Sequence, residues 1–484
     1  MDLYDALTAY AASDACPFHM PGHKRRLGSM RDPFTFDITE IDGFDDLHHP
    51  EGILKEAQER AAALWHSSET HFLVNGSTAG ILTAVHACAR PGAALVMARG
   101  CHRSAYNAAA LSRQDTRYLR SEDRGVLNGP VDPEELERVL DECGDVSAVL
   151  LTSPTYDGIV SDIARAAQAV HSRGIPLIVD EAHGAHFGMH PVFPASSVEL
   201  GADLVIHSLH KTLPSLTQTA LLHVNGDLVD RRKVRRMLSV FQTSSPSYVL
   251  MASIDRCVRL LQESGNDLFD RYASLLTGFR AQADIPGIRL LETDDPSRIL
   301  LQPEIMSARE LYDTLRERFL LQPEMCTPSY VLMLSSVADD EAAFRRLLDA
   351  LRQIGETSGT AAAGAVCRTG CLPAGRTAGR TVCRPAFRTI SRPETFPPQR
   401  MPLYAALDAP QERIPLREAS GRICAEYLYL YPPGIPLLAP GEEITLSLLE
   451  RIRQIREAGL SLQGPADYTL ETIWTVKEAG GFTS

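Results

Sequence analysis

Asp203-Leu204-Val205-Ile206-His207-Ser208-Leu209-His210-Lys211-Thr212 is a short apolar run that stops abruptly in Ser, His and Lys. It predicts a buried strand over 204–206 that delivers its last side chains to a sheet edge, with Lys211 just beyond. A lysine after a strand is by itself an ordinary loop residue. Two earlier runs, however, end in complementary groups. Val149-Leu150-Leu151 leads into Thr152-Ser153-Pro154-Thr155-Tyr156-Asp157, and Pro176-Leu177-Ile178-Val179 leads into Asp180-Glu181-Ala182-His183.

Around these runs, strand and helix patterns alternate. Strands are expected over 71–74, 94–97, 148–151, 177–179, 204–206 and 220–224, with helices over 131–143 and 163–173 between them. Such alternation means an α/β, mostly parallel sheet with helices on both faces. Ligands of such sheets bind beyond the carboxyl ends of the strands, where Asp180 and Lys211 fall. Before this region, a helix over 3–12 and a Pro21-Gly22 turn precede an acidic loop at 41–52 and an amphipathic helix from Ile53 to Trp65. After residue 227 the chain turns helical (228–241, 249–261 and on to about 283). A smaller α/β piece follows, with a strand over 331–334. Residues 355–400, rich in Gly, Ala, Thr, Pro and Arg, read as a linker or irregular insertion. Structure is expected to resume near Pro402, with a helix-like start, a run over 414–426, a proline-rich turn at 431–436 and a helix over 446–458. The expected division is an N-terminal segment (1–50), a large domain (51–245), a helical connection with the small α/β domain (246–355), the linker (356–400) and a C-terminal domain (401–484).

The bulk properties narrow the classes. With 484 residues there is room for two or three domains, and 44% hydrophobic against 23% charged residues describes an ordinary globular protein. A net charge of −13 argues against nucleic acid as partner, which needs a basic face. The first twenty residues lack the basic start and apolar core of a secretory signal, and no window reaches the roughly 18 apolar residues of a membrane span. A cytoplasmic protein with reduced thiols is expected, its ten cysteines being scattered. Cys367, Cys371 and Cys383 match no zinc spacing, and His48-His49 lie in a loop, so no metal is assigned.

A strand-end lysine, a strand-end aspartate and an anion-binding helix start fit pyridoxal phosphate. This cofactor needs an amine to condense with its aldehyde, a carboxylate to keep its ring nitrogen protonated, and donors for its phosphate. Lys211 supplies the first and Asp180 the second. Asn75-Gly76-Ser77-Thr78 feeds a helix start whose N–H groups, hydroxyls and dipole make an anion site of Gly76, Ser77 and Thr78, joined by Ser208 and His210. The same Ser and Thr also read as simple N-cap residues.

Pro21-Gly22-His23-Lys24, Asp46-Leu47-His48-His49-Pro50-Glu51-Gly52, Asn75-Gly76-Ser77-Thr78, Cys101-His102-Arg103-Ser104, Thr155-Tyr156-Asp157-Gly158, Asp180-Glu181-Ala182-His183-Gly184-Ala185-His186 and Ser208-Leu209-His210-Lys211 together resemble the ornithine/lysine/arginine decarboxylases. Tyr431-Pro432-Pro433-Gly434-Ile435-Pro436 with Pro440-Gly441-Glu442 is similar to that family's C-terminal domain. The likeness spans nearly the whole chain apart from 355–400. It implies the aspartate-aminotransferase type of fold (fold type I), with a small α/β domain and a C-terminal α+β domain, and a homodimer or higher homo-oligomer. It further implies that His102 stacks on the cofactor ring, that His183 neighbours Asp180, and that Thr155 contacts the ring's phenolic oxygen. Large members carry a receiver-like N-terminal domain for which the segment before Pro21 lacks the length, so a short, biosynthetic form is implied. The implied reaction takes the α-carboxylate from arginine, lysine or ornithine, as in polyamine biosynthesis. The sequence does not rank the three. Glu442, then Asp157 and the acidic 42–51 loop, are the candidates for the carboxylate that meets the substrate's far cation. An aminotransferase or lyase of the same fold, a non-catalytic relative, and a metal enzyme built on Asp180, His183 and His186 are the competing readings.

Overall fold

The computed structural model describes residues 3–26, 32–364, 396–430, 434–457 and 462–478. The central sheet is built of β1 (Glu69–Leu73), β2 (Ala94–Ala98), β3 (Thr116–Leu119), β4 (Val146–Thr152), β5 (Leu177–Asp180), β6 (Leu204–His207) and β7 (Ala220–Val224). Their order is β1-β7-β6-β5-β4-β2-β3. β7 runs antiparallel to both neighbours, whereas β3, β2, β4, β5 and β6 form one parallel ladder. β5, β6 and β7 are buried at every position, which is why they read as unbroken apolar runs rather than alternating ones.

Helices close both faces. α1 (Ile53–Leu64), α2 (Gly76–Cys88), α3 (Arg103–Leu111) and α4 (Tyr248–Gln282) are the ones that matter for the site. α2 and α3 contribute to one core layer, and α1 and α4 to the other. Gly80 lets α2 close on the sheet, since a Cβ there would stand 2.7 Å from Leu73 Cδ1 and 3.1 Å from Ile206 Cγ2.

The small α/β part has an antiparallel sheet of β8 (Ile288–Leu291), β9 (Arg298–Pro303), β10 (Met325–Cys326) and β11 (Val331–Leu334), in the order β8-β9-β11-β10. Cys16–Phe18 pairs in parallel with Leu321–Pro323 as a separate two-stranded sheet, so the N-terminal segment is stitched to the small α/β part rather than standing alone. At the C-terminal end, Gln411–Pro415 pairs with Thr472–Val476, and a second small sheet packs with helix Leu446–Glu457 around Cys424, Leu428, Leu438, Ile444 and Ile452.

Several expectations shift. The helix expected from residue 228 begins at Arg231, because the Asp230 side chain caps it by accepting from the Arg232 N–H at 2.9 Å. The expected linker from 356 starts inside helix α5 (Glu341–Gly364), in keeping with the helix propensity of Ala361-Ala362-Ala363. The 414–426 run holds only the end of a strand and one short turn. Ser121–Arg124 and Leu127–Val131 form an unanticipated hairpin, its first strand too polar and exposed to show an apolar pattern. Cys367, Cys371, Cys383 and Tyr431-Pro432-Pro433 lie outside the described residues. Among the described residues no helix is long and apolar enough to cross a membrane.

Candidate active site

The parallel ladder sets the site. Thr152 on β4, Asp180 on β5 and Ile206 on β6 are register partners, so the three strands end side by side. One residue past β6, Ser208 opens a single helical turn, Leu209–Thr212, which carries Lys211. Lys211 Nζ lies 2.9 Å from His183 Nε2. The lysine keeps partial access, and burial pulls its amine down to about 8, against the opposing pull of Asp180. Asp180 is buried, and its carboxylate accepts from the Ala182 N–H at 3.2 Å. Burial pushes that carboxyl up, with the Lys211 charge pulling the other way.

His183 is held neutral. Its pKa falls well below the ordinary value through burial first and the Lys211 charge second, and its Nδ1 has no hydrogen-bond partner. The edge of its ring meets Tyr156 at 4.8 Å, and its carbonyl accepts from the buried Arg298 guanidinium at 2.8 Å. Arg298 reaches this point because Gly158, at φ +89°, leaves room: a Cβ there would stand 2.6 Å from Arg298 Cγ.

On the other side, α2 points its N-terminus toward Ser208. Ser77 Oγ lies 2.5 Å from Ser208 Oγ, and Asn75 makes no side-chain cap, which leaves first-turn N–H groups for a ligand. Gly76 opens the helix at φ +71°. Thr78, by contrast, is exposed, and His210 spends Nδ1 as donor to the Thr219 carbonyl at 3.0 Å. His102 is the N-cap of α3, its Nδ1 accepting from the Ser104 N–H at 3.2 Å. Burial, then the charge of Lys211, brings its pKa to about 3. Thr155 Oγ1 accepts from the Ile159 N–H at 3.1 Å as part of a turn. Lys211, Asp180, His183, Ser208 and Ser77 are therefore brought together, His102 stands within reach of the Lys211 charge, and Thr78 is turned to solvent.

Both carboxylates expected to meet the substrate are engaged elsewhere. Glu442 is buried against Arg99, its two oxygens each accepting at 2.9 Å from Nε and Nη2. Asp157 is buried too, accepting from Tyr330 Oη at 2.5 Å and from Asn128. Each oxygen of both carboxylates already has a partner within the chain, which weighs against either meeting a substrate cation. Nor do Asp180, His183 and His186 converge: His186 Nε2 turns to Asp295 at 3.2 Å, and no trio of metal-ligating side chains gathers among the described residues. Sequence reasoning passed over Tyr156, Arg298 and Glu324. Tyr156 sat inside a quoted motif. Glu324, half-buried, accepts from Tyr156 Oη at 2.6 Å and from the Met20 N–H at 3.0 Å, and had no local signal.

A family model described as the Orn/Lys/Arg decarboxylase major domain matches residues 1–292, and its C-terminal domain counterpart matches 383–464. The chain belongs to the Orn/Lys/Arg decarboxylase family. It is 32% identical to an arginine decarboxylase of Bacillus anthracis over 98% of this chain and 97% of that protein. It is 31% identical to an arginine decarboxylase of Bacillus subtilis over 98% of each. Among solved structures, lysine decarboxylase A from Pseudomonas aeruginosa superposes with a TM-score of 0.72 at 20% identity, covering 91% of this chain and 73% of that one. The constitutive lysine decarboxylase of E. coli gives 0.71 at 17% identity, covering 88% and 74%. The fold expected from the alternating strands is thus that of the family's solved members, and this decarboxylase removes carbon dioxide from a basic amino acid.

Proposed function

We propose that the enzyme converts L-arginine to agmatine and carbon dioxide with pyridoxal phosphate as cofactor, acting as a cytoplasmic homo-oligomer in polyamine formation. The observation that carries the reading is that Asp180 and Lys211 follow adjacent strand ends and that the α2 N-terminus joins them through the Ser77–Ser208 contact. The residues fit the cofactor. Asp180 is a buried carboxylate whose pKa is raised for want of a full counter-charge, and a protonated ring nitrogen would supply it. The Ser77–Ser208 pair and the uncapped first turn of α2 suit a phosphate. When bound, pyridoxal phosphate supplies the electron sink that stabilises negative charge at the substrate's α-carbon. The full-length relatives named arginine decarboxylase support arginine over lysine and ornithine.

In the reaction the bond between Cα and the carboxylate carbon breaks, its electron pair stays on Cα, and a proton takes the place of the departing carbon dioxide. Lys211 is suited to hold that proton at Nζ, since an amine near 8 both carries and releases one close to neutral pH. His183 Nε2 holds the amine in place at 2.9 Å. His102, His183 and His210 are all driven to the neutral form by burial, so the imidazoles around the site give the substrate carboxylate no counter-charge. Losing its charge as carbon dioxide is thereby favoured. Purified enzyme given arginine, lysine and ornithine in parallel should release carbon dioxide and the matching amine in equal amounts, fastest from arginine, where that amine is agmatine. An oxo acid among the products would make it an aminotransferase instead, and faster turnover of lysine or ornithine would overturn the substrate assignment.

A further inference from the structure

Glu181 follows Asp180, and His207 precedes Ser208, yet neither side chain faces the site. The pleat sends both to the opposite face of the sheet. There Glu181 Oε1 accepts from His207 Nε2–H at 2.7 Å and from the Ser196 hydroxyl at 2.9 Å, while Oε2 accepts from the Ser197 N–H at 2.8 Å and from its hydroxyl. His207 Nδ1 lies 3.0 Å from His223 Nε2, His223 Nδ1 lies 2.8 Å from Thr70 Oγ1, and Thr70 Oγ1 lies 2.6 Å from Ser67 Oγ. The result is a buried polar stripe crossing β5, β6, β7 and β1, four neighbours in the sheet. Trp65 covers it, its ring 5.8 Å from His207 and 5.6 Å from His223.

With Glu181 ionised, one proton order satisfies every member. Ser67 donates to Thr70, Thr70 to His223 Nδ1, His223 Nε2–H to His207 Nδ1, and His207 Nε2–H to the Glu181 carboxylate. That order needs both imidazoles neutral, and burial holds His207 down to about 3 and His223 well below the ordinary value. Burial pushes the Glu181 carboxyl up to about 7, and protonating it reverses the order while keeping each contact. A stripe this deep in an apolar layer is tolerable only because it is complete.

Its position gives it a task. The backbone ladder between β5 and β6 ends at Asp180 and Ile206, after which the two chains part, one carrying Glu181 to His183 and the other Ser208 to Lys211. The Glu181–His207 hydrogen bond bridges the strand ends at this point. We propose that Glu181 and His207 are positioning residues that clamp the parting ends of β5 and β6 from behind the sheet and so fix Asp180 relative to Lys211 for the cofactor. This rests on the pyridoxal phosphate reading above.

The test titrates cofactor-free enzyme with pyridoxal phosphate. Visible absorbance reports the dissociation constant and the pH midpoint of the Lys211-bound chromophore, and thermal unfolding of the cofactor-free protein is followed in parallel. His207→Leu removes the donor, His207→Gln keeps an N–H donor on a side chain of similar reach, and Glu181→Gln keeps the volume while removing the acceptor charge. His207→Leu should weaken cofactor binding about tenfold, within the range that a misplacement of ~1 Å can cost, and should shift the pH midpoint. Glu181→Gln should act in the same direction, and His207→Gln should restore both quantities toward wild type. A folded His207→Leu with wild-type affinity and midpoint overturns the clamp, as does a His207→Gln that restores thermal stability but neither of these. Should His207→Leu not fold, Glu181→Gln decides by the same two readings. If the wild type itself binds no pyridoxal phosphate, the cofactor reading fails instead.

Discussion

Two of the places where a cation meets a buried carboxylate among the described residues, Arg99 with Glu442 and Lys211 with Asp180, differ in completeness. Between the large domain and the C-terminal domain, Arg99 gives Nε and Nη2 to the two oxygens of Glu442. Its Nη1 goes to Tyr106 Oη at 2.8 Å and to the Pro436 carbonyl at 2.7 Å. Glu442 also accepts from the Ala439 N–H at 2.8 Å. At the strand ends, Lys211 and Asp180 make no direct ion pair: the amine leans on a neutral imidazole, and the carboxylate takes one backbone N–H. A fork saturated on both sides is a lock between domains, whereas a pair with valence left over is prepared for a third component.

Breaking each pair should therefore cost different things. Lys211→Met should lower decarboxylation by about 10³-fold or more, beyond the lower range of what acid–base assistance alone provides. The same substitution should not destabilise the cofactor-free protein near neutral pH, because it removes a charge that burial opposes. Arg99→Met should show the reverse emphasis. Removing one partner of a buried, hydrogen-bonded pair costs about 3–5 kcal/mol, readable as a lower urea midpoint, and adding Glu442→Leu should recover part of it. Equal destabilisation by Lys211→Met and Arg99→Met would erase the distinction. Tyr330→Phe tests the smaller lock at Asp157. Taking one donor from that buried carboxylate should cost about 1–3 kcal/mol.

The last effect is a pH dependence. Burial holds Lys211 at about 8 in the folded state, below the roughly 10.4 of an unfolded chain. Folding is penalised by the buried charge below pH 8, and the native state gives up that proton first as pH rises. Wild type should therefore gain stability relative to Lys211→Met between about pH 8 and about pH 10. A flat difference across that window would mean the amine is solvated rather than buried.

Much of this contrast was readable before any coordinates. Parallel strands buried on both faces leave unbroken apolar runs, and the polar residues that end them, Asp180 and Lys211, stand out for that reason. The start of α2 announced itself through Asn75-Gly76-Ser77-Thr78, although only the fold turns Ser77 toward Ser208 and Thr78 outward. Glu442 could not be placed, because its role is decided by Arg99, 343 residues away. The partners of Asp157 were equally out of reach, its hydroxyl donor Tyr330 lying 173 residues on. His207 stood within the first quoted run, but a histidine inside an apolar strand carries no local sign of the Glu181 that receives it.

One amine of the chain has to hold the cofactor. The chain has five lysines, Lys24, Lys55, Lys211, Lys233 and Lys477, and two of them have amines depressed by burial, Lys24 and Lys211. Lys24 is spent on the carbonyls of His19 and Leu334, each at 2.8 Å, while Lys211 faces a neutral imidazole beside Asp180. Reducing the enzyme with borohydride in the presence of pyridoxal phosphate, then mapping peptides by mass, reads the answer directly. The adduct should fall on Lys211 in one equivalent per chain; an adduct on Lys24, or one scattered over the exposed lysines, would contradict the account.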